Sequence, residues 1–353
     1  MFEYLVRRFL AMIPTLLGIT VVVFIIINLA PGSPIEQRLQ AIRFGGGASA
    51  GASAGGGAGG SSATVSSSNN QGVSNEVLEA LKKQYGFDKP LMVRYGLWLK
   101  NLVKLDFGKS FTYEESVTTV IMSKFPVSLQ FGLVSLFLTY LVCIPLGIVM
   151  AIKENKIFDI FTSFVLFVLY SVPPFMLGIL LIVCFSGGTF LDIFPIGSLY
   201  SDDYDSFSFW QKVGDRILHF ILPLICYMIG SFTTLTLLMK NSILEEIKKD
   251  YIRTARAKGL TEKTVYLKHA LRNALIPVVT GIGGFLSVFF AGSLLIETIF
   301  QLDGMGLLGY NSVLSRDYNV IMGLVFIQSF LYLFGNLISD LVYVVVDPRI
   351  DFS

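Results

Sequence analysis

The chain has 353 residues, 53% hydrophobic and only 15% charged, with 27 Lys and Arg against 25 Asp and Glu and a mean hydropathy of +0.67. Soluble proteins carry about 25% charged residues, so a soluble globular fold is excluded. A membrane β-barrel is excluded as well, because its strands alternate over about 10 residues, whereas here the apolar residues form long continuous runs.

Six mostly apolar runs contain no Asp, Glu, Lys or Arg: 9–35, 125–152, 160–191, 217–239, 273–296 and 318–339. A bilayer-spanning helix needs roughly 20 apolar residues, so each run predicts one span and none predicts two. The first begins behind Arg7 and Arg8. It exceeds the roughly 7 to 15 apolar residues of a signal peptide and has no A-x-A site after it, so residues 1–35 read as a retained N-terminal transmembrane helix.

Residues 36–124 form a long connection with two parts. Gly45 to Ala63 are all Gly, Ala or Ser, a composition that buries too little apolar surface to offset its ordering entropy. A flexible Gly/Ala/Ser-rich coil is expected over 45–72, with an end-to-end distance on the order of 30 Å. Glu76 to Lys124 have ordinary charge and several aromatics, including Trp98, and read as a small amphipathic extracytoplasmic cap.

Residues 125–353 hold the other five runs. Pro145, Pro173 with Pro174, and Pro223 are expected to interrupt the second, third and fourth helices, which is tolerated where neighbours satisfy the backbone. Cys143, Cys184 and Cys226 each fall in a separate run without C-x-x-C spacing and read as buried, inert thiols. With only His219 and His269 present, neither a metal site nor a nucleophilic triad is expected. Cytoplasmic loops carry the excess of Lys and Arg. With the N-terminus inside, the inner segments hold Arg7, Arg8, Lys153, Lys156, Arg349 and nine more between Lys240 and Arg272, whereas the short outer loops hold Lys212, Arg216 and Arg316. Both termini are therefore expected in the cytoplasm, an N-in/C-in arrangement.

The inner loop 240–272 sets nine positive residues against Glu245, Glu246, Asp250 and Glu262. Ser242-x-x-Glu245 has the form of a capping box, predicting a helix that opens there with Ile243, Ile247, Tyr251 and Ala255 along one face. Gly259 is a C-terminal stop, and Thr261 starts a second helix toward the fifth span. Small residues at Ala255, Ala257 and Gly259 between Arg253, Arg256 and Lys258 suit a partner-docking turn. The bland alternative is a solvated basic loop near anionic lipid.

The stretch Tyr251-Ile-Arg-Thr-Ala-Arg-Ala-Lys-Gly259-Leu-Thr-Glu, continuing to Pro277, resembles the coupling loop of type I ABC importer permeases of the dipeptide and oligopeptide class. The broad importer pattern would place its E-A-A triplet on Arg253-Thr254-Ala255 and its proline at Arg272; Ala255 and Gly259 keep it, and the peptide-permease version fits the rest. Arg7-Arg8 with Pro31-Gly-Ser-Pro34, Tyr85-Gly-Phe-Asp88, Asp106-Phe-Gly-Lys-Ser110, Glu297-x-x-Phe300, Gly304-Met-Gly306, Arg316-Asp-Tyr318 and Asp347-Pro-Arg-Ile350 are similar to the B-type subunit across the chain. The Gly-rich insertion and the Asp351-Phe352 ending resemble Yej-type peptide permeases.

The resemblance implies an all-α, six-helix, MetI-like permease fold in the bacterial inner membrane, with a five-helix core over 125–353. It implies a second permease chain, two ATPase subunits or one fused ATPase, an extracytoplasmic binding protein and a peptide cargo as partners, besides membrane lipid and without nucleic acid. Docking to the ATPase would fall to Tyr251, Arg253, Thr254, Ala255, Arg256, Gly259 and Leu260. No enzyme activity or cofactor is expected in this chain, ATP and magnesium being bound by the partners. Gly304-x-Gly306-x-x-Gly309 has no strand before it, and a P-loop ending at Gly108-Lys109-Ser110 would need Gly where Val103 stands, so neither reads as a nucleotide site. Asp340, at the inner end of the last run, leaves two rivals open: a structural anchor, or the relay of a proton-coupled secondary transporter. A non-transporting receptor or scaffold is a third reading.

Overall fold

The computed structural model describes residues 2–30, 88–187, 190–281 and 292–346, and every regular element among them is helical. The helices are α1 (Phe2–Leu29), α2 (Leu91–Leu102), α3 (Val117–Ile152), α4 (Ile157–Ser171), α5 (Pro174–Phe185), α6 (Phe209–Glu246), α7 (Asp250–Ala257), α8 (Leu271–Thr280), α9 (Leu294–Ile299), α10 (Met305–Leu314) and α11 (Tyr318–Val346). Four of them contain stretches long and apolar enough to cross a bilayer, Val6–Leu29, Val117–Ile152, Phe209–Glu246 and Tyr318–Leu341. The pair α4 and α5, bent by 98°, makes a fifth when counted as one span. The expected fifth run lies partly outside the described residues, as do the Gly/Ala/Ser coil, the Pro31–Pro34 and Tyr85–Phe87 motifs and the Asp347–Phe352 ending.

Three expectations change at the level of local structure. Pro145 and Pro223 do not interrupt their helices, since α3 and α6 run continuously through them. Of these prolines, Pro173-Pro174 breaks a helix: the residue before a proline is driven out of the helical region, and proline is then well suited to the first turn of the next helix. Val172 accordingly sits at φ −89°, ψ 120°, and Pro174 opens α5. Nor does a helix open at Ser242, which is buried within the last turns of α6. The helix-start chemistry lies instead at the other end of α6, where the Ser208 backbone N–H donates to Gln211 Oε1 at 2.9 Å.

Two compact units are present, the first formed by the described residues of 1–19, 121–310 and 324–353, the second by those of 20–120 and 311–323. In the first, α3 and α6 have 36 and 38 residues. At 1.5 Å per residue they extend for about 54 and 57 Å, well beyond a hydrocarbon core of about 30 Å, so they carry structure clear of the bilayer. They approach closely at Gly147, where a Cβ would lie 2.7 Å from Met239 Cβ and 2.8 Å from the Thr236 carbonyl. Small residues permit such backbone approach between membrane helices. Cys143 and Cys226 are buried and Cys184 half-buried, all three as free thiols.

In the second unit the fully buried Asp317 organises the loop after α2. Its Oδ2 accepts from Ser110 Oγ at 2.5 Å and the Thr112 N–H at 3.0 Å, while Oδ1 accepts the Val320 N–H at 3.3 Å and caps α11. The Gly108-Lys109-Ser110 motif is thus part of a tied turn.

Replacing Gly147 by Leu forces α3 and α6 apart and is expected to cost about 1–3 kcal/mol, read as a lower thermal midpoint in mild detergent. Gly230→Ala, at a position of α6 with open space around it, is expected not to lower the midpoint, since alanine is the better helix former.

Candidate functional site

The basic loop 240–272 forms a short helix seated on the end of the bundle. Helix α6 ends at Glu246, the chain leaves helical geometry at Lys249 (φ −75°, ψ 152°), and α7 begins at Asp250. An acid in the first turn favours the positive helix end. Because α7 is a new helix, its phase is independent of α6. The single stripe expected through Ile243, Ile247, Tyr251 and Ala255 is replaced by Ile252 and Ala255, three residues apart, both buried, while Tyr251 is exposed.

Ile252 and Ala255 pack into one apolar cluster with Ile148 and Ala151 of α3, Met239 and Ile243 of α6, and Ala274 and Val278 of α8. Full burial of an Ile side chain is worth about 1.5–3 kcal/mol, so α7 cannot lift away without exposing this core. Glu246 adds a polar tie: it accepts from the Tyr251 hydroxyl at 2.5 Å, and Asn273 Nδ2 donates to that hydroxyl at 3.1 Å. The ends of α6, α7 and α8 are joined through these three side chains. Burial, and then Glu246, push the Tyr251 phenol up to about 12, so it remains a donor throughout the physiological range.

Helix α7 ends in a Schellman motif. The Gly259 N–H donates to the Arg256 carbonyl at 2.9 Å and the Leu260 N–H to the Ala255 carbonyl at 3.4 Å. Gly259 has φ +78°, yet a Cβ there would meet nothing within 4 Å. Its glycine is required by the backbone angle and not by crowding, and the space above it is open. Across the turn Arg256 Nε and Nη2 donate to the two oxygens of Glu262 at 2.8 and 3.1 Å, a bidentate pair. The chain continues through one helical turn and a π-helical stretch, Val265–Ala270, into α8.

The seven expected docking residues therefore separate by direction. Arg253, with 74% of its side chain exposed, Thr254, Gly259 and Leu260 face outward, and Tyr251 is exposed at the edge. Arg256 is held by Glu262, and Ala255 faces the protein's own core.

Asp340 pairs with Arg8 at 2.8 Å and accepts from the Tyr4 hydroxyl at 3.1 Å, beside a cavity of about 620 Å³. It anchors the last helix to the first. A second tie joins Lys240 of α6 to Asp159 of α4 at 2.6 Å.

Glu297, singled out in the sequence only within the Glu297-x-x-Phe300 motif, has a structural role that the sequence did not show. Fully buried, it accepts from Ser128 Oγ at 3.1 Å, the Ser293 N–H at 3.2 Å and the Leu307 N–H at 2.7 Å, with the Tyr227 hydroxyl at 3.4 Å. These contacts join α3, α6 and α10. Gly304 lies so close that a Cβ would come within 2.5 Å of the carboxylate, which explains a glycine of the Gly-x-Gly-x-x-Gly pattern without a nucleotide. The signal available was an acid at the end of an apolar run followed by closely spaced glycines.

Residues 143–352 match the family model described as binding-protein-dependent transport system inner membrane component. The chain is 46% identical, over 99% of its length and 98% of the relative's, to the peptidoglycan transport system permease protein YejB of Agrobacterium fabrum. It is 43% identical to the inner membrane ABC transporter permease protein YejB of Escherichia coli O157:H7 over 99% of both chains. The oligopeptide transport system permease protein AppB of Bacillus subtilis is 34% identical over the full length of both.

Truncating Ile252 to Ala is expected to weaken the seating of α7 by about 2–5 kcal/mol. The measurable outcome is faster tryptic cleavage at Arg253 and Lys258 in the otherwise folded protein; an unchanged cleavage rate would show that the buried contact does not hold the helix.

Proposed function

We propose that this chain, which belongs to the family of binding-protein-dependent transport system inner membrane components, forms half of the transmembrane pathway of an ATP-driven peptide importer. Relatives named for oligopeptide and peptidoglycan transport support a peptide-bearing cargo. In this reading a second, related permease chain completes the pathway, an extracytoplasmic binding protein delivers the cargo, and two cytoplasmic ATPase subunits, or one fused ATPase, dock at residues 251–262. The Arg8–Asp340 pair joins the start of the first span to the end of the last, which supports placing both termini on one side, the cytoplasm.

The observation that carries the proposal is the two-sidedness of α7. Its outer side offers Arg253, Thr254, Lys258 and Leu260 to a partner, while Ile252 and Ala255 are seated among α3, α6 and α8. A partner groove that moves when the ATPase closes on ATP would displace α7, and the shared core would carry that displacement into three helices together. Packed cores respond to such a load by shifting between discrete arrangements, and a ligand shifts the balance only by its differential affinity for the two. ATP-driven closure would supply that difference. Arg256 holds the turn through Glu262, and Tyr251 holds its base through Glu246, so both preserve the shape of the docking element.

Gly259→Arg tests the assignment by placing a bulky cation in the open space above the turn, at a left-handed backbone angle. The protein is expected to reach the membrane and to co-purify with its companion permease, while peptide uptake falls at least about tenfold and ATP hydrolysis no longer responds to the loaded binding protein. Normal uptake by this variant would overturn the docking assignment.

A further inference from the structure

The chain between α7 and α8 holds one residue more than a regular helix would place there. Val265 and Ala270 are both fully buried and belong to the same apolar cluster, five residues apart. In an α-helix a step of five residues turns the chain by about 140°, which would put the two on different faces. The stretch Val265–Ala270 is π-helical instead, and at its end the Leu271 N–H donates to the Tyr266 carbonyl, five residues back. Beyond it the spacing is regular again, with Ala270, Ala274 and Val278 buried at steps of four. Single π turns within α-helices are uncommon and concentrate at functional sites.

A second residue stands ready for the same place. Tyr266, four residues before Ala270, packs half-buried against that cluster. A step of four in α geometry leaves only about 40° of rotation, so Tyr266 would share the face of Ala270 with no π turn at all. The two sides of the stretch are held unequally. On the α8 side, Ala270, Ala274 and Val278 lie in the core and Asn273 donates to the Tyr251 hydroxyl at 3.1 Å. On the other side, the helical turn Glu262–Thr264 has no buried residue. The Arg256–Glu262 pair leaves 39% and 59% of the two side chains exposed, and exposed pairs of this kind hold weakly.

We propose that residues 265–270 form a register joint, in which Val265 yields its place against the core to Tyr266 and so lengthens the link 258–264 by one residue while α8 stays seated. One residue of extended chain spans about 3.5 Å. The exchange replaces one apolar side chain by another, which keeps the core closed in both registers. Two discrete packings of the same residues are what a switching element requires. The use of the joint in transport rests on the function proposed above: a displaced α7 draws on the extra residue of chain and does not pull α8 out of the bundle.

Amide hydrogen exchange in the full-length protein, held in lipid nanodiscs, reads the two registers directly, because each passage between them opens the hydrogen bonds of the π turn. Tyr266→Gln keeps Val265 in place but removes the apolar side chain that the other register buries, which lowers the population of that register at least about tenfold. Exchange over residues 266–271 is therefore expected to slow at least about tenfold in this variant, with residues 275–280 unchanged. Equal exchange over 266–271 in the two proteins would show a single fixed register and overturn the joint, whether or not the transport reading holds. Deleting Lys268, an exposed residue of the π turn, leaves Val265 and Ala270 four residues apart and locks the observed core contact. This variant is expected to keep its thermal midpoint and its captured ATPase while peptide uptake falls at least about tenfold. A lowered midpoint would assign the five-residue spacing to packing alone and overturn the proposal. So would uptake equal to wild type in an assembly whose wild-type chain couples. A wild-type chain that captures no ATPase counts against the proposed function instead, and the exchange comparison then decides the joint. If Tyr266→Gln does not fold, the Lys268 deletion carries the exchange comparison with the same direction expected.

Discussion

Two apolar side chains beneath an eight-residue helix hold it against the end of the bundle. Ile252 and Ala255 close the cluster that α3, α6 and α8 share at one end of the bundle. An isolated helix this short would be marginal in water. It exists because its inner face is buried and its ends are tied, by Tyr251 and Glu246 at one side and by Arg256 and Glu262 at the other. The length of α3 and α6 contributes as well, because both helices run on to the end of the bundle where α7 is seated.

Carboxylates do a comparable job along the rest of the first unit. Glu297, Asp159, Asp340 and Glu246 each join segments distant in sequence, and each is met by several donors or a cation. In a low-dielectric setting an unsatisfied charge is costly, whereas a carboxylate accepting two or three hydrogen bonds specifies one arrangement of its neighbours. Asp340 has Arg8 and Tyr4 on the same oxygen and so ties the first helix to the last.

Much of this was legible without coordinates where the signal is local. The uncharged runs at 9–35, 125–152, 217–239 and 318–339 correspond to four long helices, because the demand for continuous apolar surface is read residue by residue. The turn at Gly259 was also legible, since a positive φ after a helix calls for glycine whatever surrounds it. Where two local rules competed, the sequence was ambiguous. Ser242-x-x-Glu245 satisfies a capping pattern, yet burial of Ser242 against the bundle keeps α6 going past it. Pro145 and Pro223 carry the residue type that breaks helices, yet α3 and α6 continue through them, whereas the consecutive prolines at 173 and 174 coincide with a break bent by 98°.

By itself the sequence determined four of the long apolar helices, the helical class, the position of the basic loop 240–272 and, through the order of its motifs, the family. Those properties follow from composition and short-range spacing, which need no partner residue to be recognised. The tertiary structure decided which face of α7 is buried, that Ala255 serves the core while Arg253 and Leu260 serve the exterior, and that Glu297 and Asp340 are ties. It also put Val265 and Ala270, five residues apart, into the same core. These are relations between residues as many as 336 positions apart, and long-range packing leaves no periodic trace in a single chain.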